Sequence, residues 1–170
     1  SSPTRGLFMG GDFQTSSYYD IIDFITIQST GNAQDFGNLS VARAEPGAVA
    51  STLRACVGGG YVSPSTPQTN VIDYITIASA GNATDFGDLT ASSFQDAAGA
   101  SNSKTAIAFG YQVNTIDRIN IATTGNATDF GDTLTSTFYQ IMGADNGGGG
   151  LPQEGAFPQR ASVNYMPGSG

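Results

Sequence analysis

The stretch from Val71 to Thr90, VIDYITIASAGNATDFGDLT, decides the fold because the chain contains three copies of it. The first copy covers residues 21–40, and the third begins at Thr115. Equivalent residues are 50 positions apart between the first and second copies, and 44 apart between the second and third. Self-similarity at such a period predicts a repeat architecture.

Alternation at the start of each copy predicts a β-strand. In the second copy, Ile75 and Ile77 share one face of that strand, and Ile72 and Tyr74 share the other. Residues equivalent to Ile75 and Ile77 are Ile25 and Ile27 in the first copy, and Ile119 and Ile121 in the third. We expect these isoleucines to form the packing between four-stranded sheets that stack side by side.

The opposite face of the central strand differs between the copies. It carries Ile22 and Phe24 in the first copy, but Arg118 and Asn120 in the third. We therefore expect the first two sheets to be covered on both faces, and the third to have one polar face, as suits a terminal repeat.

Short apolar runs that end in glycine precede each central strand, at residues 7–11, 53–60 and 104–110. They predict strands that stop where the backbone needs a positive φ or a close approach. Runs of small residues at 47–51 and 97–101 predict a crowded innermost strand.

The segments that follow each central strand also recur. Gly-Asn pairs predict turns at Gly31-Asn32, Gly81-Asn82 and Gly125-Asn126. Asp-Phe-Gly then leads to short strands predicted at residues 39–42, 89–93 and 134–138. Each unit thus has about four short strands, which predicts an all-β fold of the kind found in propeller blades.

The repeats divide the chain into four parts. We predict a first repeat at 1–46 that starts within a unit, a second at 47–96, a third at 97–142, and a Gly/Pro-rich connection with the start of a fourth unit at 143–170. Three units are fewer than the four to eight blades of ordinary propellers. We therefore expect the chain to be part of a longer protein, or its edges to be completed by another subunit.

The sequence of the repeats resembles that of a known family. An apolar strand ending in Gly-Gly, an Asp-bearing strand and a segment closing at Arg43 resemble a degenerate kelch repeat, although the chain has no tryptophan and the third copy lacks the diglycine. Residues 5–142 are also similar to kelch-like repeats in marine bacteriophage fibre and appendage proteins. The resemblance implies about three four-stranded propeller-type blades, in an incomplete ring or one completed by another subunit, in a virion or extracellular setting.

Composition excludes several classes of function. The net charge is -8, and the single lysine and five arginines are scattered, so we expect no nucleic-acid partner. No run approaches the roughly 18 apolar residues of a spanning helix, so we expect no membrane insertion. The only cysteine, Cys56, cannot form an intrachain disulfide and is predicted to pack as a small hydrophobe.

Repeated carboxylates favour a structural role over a catalytic one. The chain has no histidine, which removes the commonest general base and metal ligand. Asp23, Asp73 and Asp117 occupy the same position of each unit and predict a buried hydrogen bond to a neighbouring turn. We expect no catalytic residue, no metal and no cofactor.

Two alternatives concern the acidic and amide residues of the recurring segments. Asp85 with Asp88, Asp129 with Asp132, and Asp35 with Asn38 could offer oxygen ligands to a cation, but such aspartates more often bond nearby backbone amides. N-glycosylation acceptor patterns occur at Asn38, Asn82 and Asn126.

The loop after each glycine-ended run is the variable part of the repeat. It carries the binding candidates Phe13, Tyr18, Tyr19, Tyr61 and Tyr111, which could alternatively pad the rim between units. Together with these loops, the resemblance to phage fibre and appendage repeats implies a non-enzymatic structural or adhesion protein of a bacteriophage virion. Its partners would be copies of itself, other virion subunits, and host surface carbohydrate or protein.

Two other classes of protein remain as alternatives. One is a subunit of a bacterial extracellular filament or surface layer. The other is a polysaccharide-degrading enzyme, for which the unrepeated carboxylates Asp96, Asp145 and Glu154 are the candidates.

Overall fold

The computed structural model describes residues 4–13, 17–62, 68–91, 97–102, 104–109 and 114–135, which form β-strands and connecting turns. No helix capable of crossing a bilayer occurs within these ranges. The strands are β1 (Arg5–Met9), β2 (Asp12–Phe13), β3 (Ser17–Tyr18), β4 (Ile21–Thr26), β5 (Gln34–Asn38), β6 (Gly47–Ala50), β7 (Arg54–Gly58), β8 (Val71–Thr76), β9 (Thr84–Asp88), β10 (Ala98–Ser101), β11 (Thr105–Phe109), β12 (Thr115–Asn120) and β13 (Thr128–Asp132).

Each copy of the repeat forms its own antiparallel sheet. Sheet I has the strand order β1-β4-β5, sheet II has β6-β7-β8-β9, and sheet III has β10-β11-β12-β13. Strands β2 and β3 form a separate two-stranded hairpin. The all-β class, the central strands and the glycine-ended strands before them are confirmed, and so are the small-residue strands β6 and β10. Sheet I has no described counterpart of those two strands, so β1 lies at its edge.

The Asp-Phe-Gly segment lies within a strand and not in a turn before one. Ile72 pairs with Gly87 and Asp73 pairs with Asp85, which leaves Phe86 as the extra residue of a β-bulge. The same bulge occurs in sheets I and III. The strands predicted from Leu39 and Leu89 are therefore wrong, because β5 and β9 end just before those residues. The bulge turns Phe86 into the core, where it is 3% exposed. For the third copy, residues 136–138 lie outside the described residues.

The Gly-Asn pairs do not form the turns predicted for them. In sheet II the chain reverses earlier, where Ser79 N donates to Thr76 O at 3.2 Å. Gly81, Asn82 and Ala83 then run along the last strand of sheet I. We call residues 31–33, 81–83 and 125–127 the docking segments.

The docking segment of sheet II joins it to sheet I through three hydrogen bonds. Gly81 N donates to Phe36 O at 2.7 Å, and Ala83 N donates to Asn38 O at 2.8 Å. Asn38 N in turn donates to Asn82 Oδ1 at 3.1 Å. The asparagine is therefore required as a side-chain acceptor, and not for a left-handed turn.

Sheet III docks on sheet II in the same way. Gly125 N donates to Phe86 O and Ala127 N donates to Asp88 O, both at 2.7 Å. Asp88 N donates to Asn126 Oδ1 at 3.1 Å. A side chain at Gly87 would meet the carbonyl oxygen of Gly125 at 2.6 Å, so the glycine of Asp-Phe-Gly keeps the junction closed.

Two apolar clusters fill the spaces between the sheets. The cluster shared by sheets I and II contains Ile22, Phe36, Leu39, Ala55, Val57, Ile75 and Ile77. The cluster shared by sheets II and III contains Cys56, Ile72, Phe86, Leu89, Ile119, Ile121 and Ala127. The prediction that the recurring isoleucines pack between stacked sheets is confirmed for the second and third copies.

The outer faces of the stack match the predictions in part. Arg118 and Asn120 are exposed, which confirms a polar outer face on sheet III. Ile27, however, is 55% exposed, so the prediction that sheet I is covered on both faces is wrong. The reason is that no described strand packs against that side of sheet I.

We expect Ile77→Ala to lower the free energy of unfolding by about 2–5 kcal/mol, because its side chain is 3% exposed and lies between two sheets. Leu53→Ala is the control, since Leu53 is 71% exposed, and it should change stability by less than about 0.5 kcal/mol. Urea denaturation followed by circular dichroism measures both. Equal stabilities of the two variants would contradict the packing described.

We expect the Cys56 thiol to be unreactive in the folded protein. Burial raises its pKa to about 12 from an ordinary 9.0, against a smaller lowering effect of Arg54. At pH ~8 this reduces the thiolate fraction about a thousandfold. The pKa of the thiol is higher in the folded protein than in the unfolded chain. The contribution of the buried, protonated thiol to stability is therefore complete below pH ~9 and is lost as the pH rises towards 12. Rapid labelling by a thiol reagent without denaturant would contradict this expectation.

Candidate binding surface at the loops of sheets I and II

The variable loops of the first two units meet at one end of the stacked sheets. Tyr18 belongs to the β2–β3 hairpin, and Tyr61 follows the glycines that end β7. Their ring centroids are 5.6 Å apart with the planes inclined by 50°. Of the predicted binding residues, Tyr111 lies outside the described residues.

The four remaining candidates differ in exposure. Phe13 is 61% exposed and Tyr19 is 41% exposed, whereas Tyr18 and Tyr61 are half-buried. The alternative role, padding the rim between units, therefore fits Tyr18 and Tyr61, which contact each other. Phe13 and Tyr19 leave aromatic surface open to solvent. We call these four residues the aromatic patch.

The segment at Arg43 and Ala44 connects the two loops through its backbone. Gly11 N donates to Arg43 O at 2.8 Å, and Arg43 N donates to Tyr19 O at 3.1 Å. Ala44 and Tyr61 exchange a pair of hydrogen bonds of 2.9 and 2.8 Å. The first loop is thus attached to Arg43 and the second loop to the adjacent Ala44.

Glycines make this close approach possible. Gly10 has a φ of 69° and Gly60 has a φ of 97°. A side chain at either residue would lie 2.6 Å from a backbone oxygen, that of Arg43 or that of Ala44. The prediction that the diglycine runs end in positive φ and close backbone approach is confirmed at both loops.

The side chain of Arg43 fixes the loops to the core of sheet II. It is fully buried, and its Nη2 donates to Asp73 Oδ2 at 3.0 Å. Its Nη1 donates to Val71 O at 2.7 Å and to Gly59 O at 3.1 Å. Burial lowers the pKa of Arg43, while Asp73 opposes this effect. The guanidinium stays charged, because the ordinary pKa of arginine is so high.

Asp73 and Asp117 form the buried hydrogen bonds that the repeat predicted. Asp73 Oδ2 also accepts from Ser40 N at 3.0 Å, while its Oδ1 is the one buried side-chain polar atom of the described residues without a hydrogen-bond partner. Asp117 accepts from Thr90 N and from Thr90 Oγ1, both at 2.7 Å. Each aspartate thus accepts a backbone hydrogen bond from the preceding unit. Asp23, in the first unit, is only half-buried.

Sequence reasoning missed the role of Arg43. The available signals were an arginine that is not repeated in the other copies and an aspartate that recurs in each copy. Nothing local pairs these two residues, which are 30 positions apart. The acidic residues beside the patch were also missed. Partial burial raises the pKa of Tyr18, and the nearby Tyr61, Asp12 and Glu45 raise it further. The patch is therefore both aromatic and acidic.

The other candidate positions have local partners. Asp85 Oδ1 accepts from Gly87 N at 3.1 Å and Asp129 Oδ1 from Gly131 N at 2.8 Å, which confirms bonding to nearby amides. No metal-binding group of three His, Cys, Asp or Glu side chains occurs among the described residues. The candidate carboxylates for the alternative of a polysaccharide-degrading enzyme, which are Asp96, Asp145 and Glu154, lie outside the described residues.

The three glycosylation acceptor patterns have a structural explanation. Asn82 and Asn126 use their side-chain oxygens in the junctions between sheets, and Asn38 is the exposed last residue of β5. Glycosylation at these residues stays a prediction.

Comparison with known proteins gives no assignment: the chain matches neither a protein-family model nor a curated protein.

We expect Asp73→Asn to lower the free energy of unfolding by about 3–5 kcal/mol, because the buried guanidinium of Arg43 loses its counter-charge. Asp117→Asn is the matched change, since Asp117 is also buried but, within the described part of the chain, accepts only from Thr90. That variant should lose about 1–3 kcal/mol. Urea denaturation of both variants checks the order, and an equal or reversed loss would argue against the role given to Arg43.

Proposed function

We propose that the protein is a non-enzymatic structural and adhesion component of a bacteriophage virion, belonging to a fibre or another appendage. In this proposal the repeated sheets act as kelch-like blades, and the aromatic patch contacts carbohydrate or protein on the host surface. The virion setting comes from the resemblance of the repeats to those of phage fibre and appendage proteins.

The observation that carries the adhesion proposal is the fixed position of the aromatic patch. Loops of two different units converge on Arg43 and Ala44, and the buried pair between Arg43 and Asp73 holds that segment in place. A surface held in its binding conformation loses less conformational entropy when it binds. Exposed tyrosine and phenylalanine rings supply both apolar area and, for tyrosine, a hydroxyl group.

The charge around the patch favours a neutral ligand. Asp12 and Glu45 lie close enough to Tyr18 to raise its pKa, and the whole chain has a net charge of -8. Like charges repel anionic surfaces, whereas carboxylates accept hydrogen bonds from sugar hydroxyls. We therefore expect neutral polysaccharide to bind better than anionic polysaccharide.

Contacts between the innermost strands support a propeller-type arrangement of the sheets. Ser101 Oγ of β10 donates to Ala50 O of β6 at 2.7 Å. A side chain at Gly47 would touch the Cβ of Ala97 at 3.0 Å. Such close approach of the first strands is what blades arranged around a common axis require.

A second candidate is a subunit of a bacterial extracellular filament. It is favoured by the exposed apolar residues on the outer faces of sheets I and III, among them Ile27 and Phe130. Immunogold labelling in negative-stain microscopy separates the two candidates. Label on phage particles supports the virion component, whereas label along isolated long fibres supports the filament.

We expect Tyr19→Ala and Phe13→Ala each to weaken binding to a neutral bacterial surface polysaccharide about tenfold, as for a central aromatic contact. Leu53→Ala, an exposed apolar residue outside the aromatic patch, is the control and should bind as the unaltered protein does. A glycan array of neutral and anionic bacterial polysaccharides provides the measurement. Absence of binding, or equal binding by all three variants, would reject the aromatic patch as the contact surface.

A further inference from the structure

The two outer faces of the stack expose residues that are buried at the internal junctions. On sheet I, Ile27 is 55% exposed, but its equivalents Ile77 and Ile121 are 3% and 1% exposed. Phe8 is 56% exposed, but Val57 at the same register position of sheet II is 1% exposed. We call Phe8, Ile27 and docking segment 31–33 the leading face.

The opposite outer face shows the complementary difference. Phe130 of β13 is 57% exposed, whereas its equivalents Phe36 and Phe86 are 2% and 3% exposed. Gly131 has no atom close to where a side chain would begin, although the equivalent Gly87 lies against Gly125 of the next sheet. We call Phe130, Gly131, Asp132 and Arg118 the trailing face.

The hydrogen-bonding groups of the two faces are complementary. At both internal junctions the docking segment gives two backbone N–H donors and one asparagine oxygen to the last strand of the preceding sheet. The leading face repeats this set in Gly31, Asn32 and Ala33, all of which are exposed. The trailing face repeats the receiving strand in Phe130 and Asp132.

An arginine reaches across each internal junction, and the trailing face provides one as well. Arg5 lies 4.7 Å from the Phe24 ring centroid and donates to Ile77 O at 2.6 Å. Arg54 lies 4.6 Å from the Tyr74 ring centroid and donates to Ala122 O at 2.9 Å.

In sheet III the positions of the arginine and the aromatic residue change. Thr105 occupies the register position of Arg54, and Arg118 occupies that of Tyr74. Arg118 is exposed and lies 5.9 Å from the Phe130 ring centroid. The trailing face thus also has a guanidinium, although it belongs to β12 and not to β11, the counterpart of the strand that carries Arg54.

We propose that copies of this chain associate head to tail, with the leading face of one copy docked on the trailing face of another. The junction would repeat the one that the chain forms twice internally, so the occupant of each face is a second copy. Ordinary propellers have four to eight blades, and two copies of the three described sheets supply six. A heterologous interface of this kind produces a ring if it closes and a filament if it does not.

The sequence beyond β13 agrees with this direction of assembly. Residues 136–170 lie outside the described residues, but the 44-residue spacing of the repeat continues through them as far as Asn146. Residues 138–146, FYQIMGADN, match residues 94–102, FQDAAGASN, at four of nine positions. The matched region 94–102 contains β10, a strand for which sheet I has no counterpart among the described residues.

The test uses one lysine substitution on each face. Ile27→Lys disables the leading face and Phe130→Lys disables the trailing face, and both residues are more than half exposed in the single chain. Arg118→Glu is a second, charge-reversing variant of the trailing face. The control is Leu53→Lys, because Leu53 stays 71% exposed although sheet II has a neighbour on each side. Light scattering after size-exclusion chromatography gives the mass over a concentration series.

We expect the unaltered protein and Leu53→Lys to form dimers or larger assemblies. Each face variant should associate at least about tenfold more weakly, because a lysine would be buried in an apolar junction. An equimolar mixture of Ile27→Lys and Phe130→Lys should give dimers and nothing larger, since only one of its junctions is intact. Circular dichroism confirms that each variant is folded.

Three outcomes would overturn the proposal. They are a monomeric unaltered protein, face variants that assemble as well as Leu53→Lys does, and a mixture that does not recover dimers. The inference extends the proposed structural role but does not depend on the ligand of the aromatic patch. Binding to the glycan array on the same samples shows which of the two ideas fails.

Discussion

The hydrogen bonds between each docking segment and the last strand of the preceding sheet are the constraint on which the structure depends. They join sheets I and II, and sheets II and III, with the same donors and acceptors and nearly the same lengths. The two most constant parts of the repeat, Gly-Asn-Ala and Asp-Phe-Gly, are the two sides of this junction. Their recurrence follows from geometry, because a larger residue at Gly87 would separate the two sheets.

The junctions use one aspartate position in two ways. Each oxygen of Asp117 accepts a hydrogen bond from a neutral group, Oδ2 from Thr90 N and Oδ1 from Thr90 Oγ1. Asp73 Oδ2 accepts from Ser40 N and from the guanidinium of Arg43, while its Oδ1 has no hydrogen-bond partner among the described residues. A buried ion pair of this kind carries a large desolvation cost. Its benefit is positional, because the same guanidinium holds the segment to which both variable loops are attached.

The separation between constant sheets and variable loops links the fold to the proposed adhesion. The sheets and junctions are repeated and hence uniform, whereas the loops after the diglycine runs differ in length and aromatic content. Variation in a loop does not disturb the stack as long as its glycines can approach Arg43 and Ala44 closely. Surfaces that change while their support stays constant are a common arrangement for binding proteins.

The sequence by itself determined the three sheets, the faces of their central strands and the burial of Asp73 and Asp117. These features follow from local periodicity and from the spacing of the copies, both of which can be read along the chain. Only the tertiary structure decided that Asp-Phe-Gly is a bulge, that Gly-Asn docks on another sheet, and that Tyr18 meets Tyr61. The bulge depends on the register of two neighbouring strands within one sheet. The other two features depend on a partner in a different unit, 38 or more residues away in the chain, and the pattern of one segment carries no information about the partner across a junction.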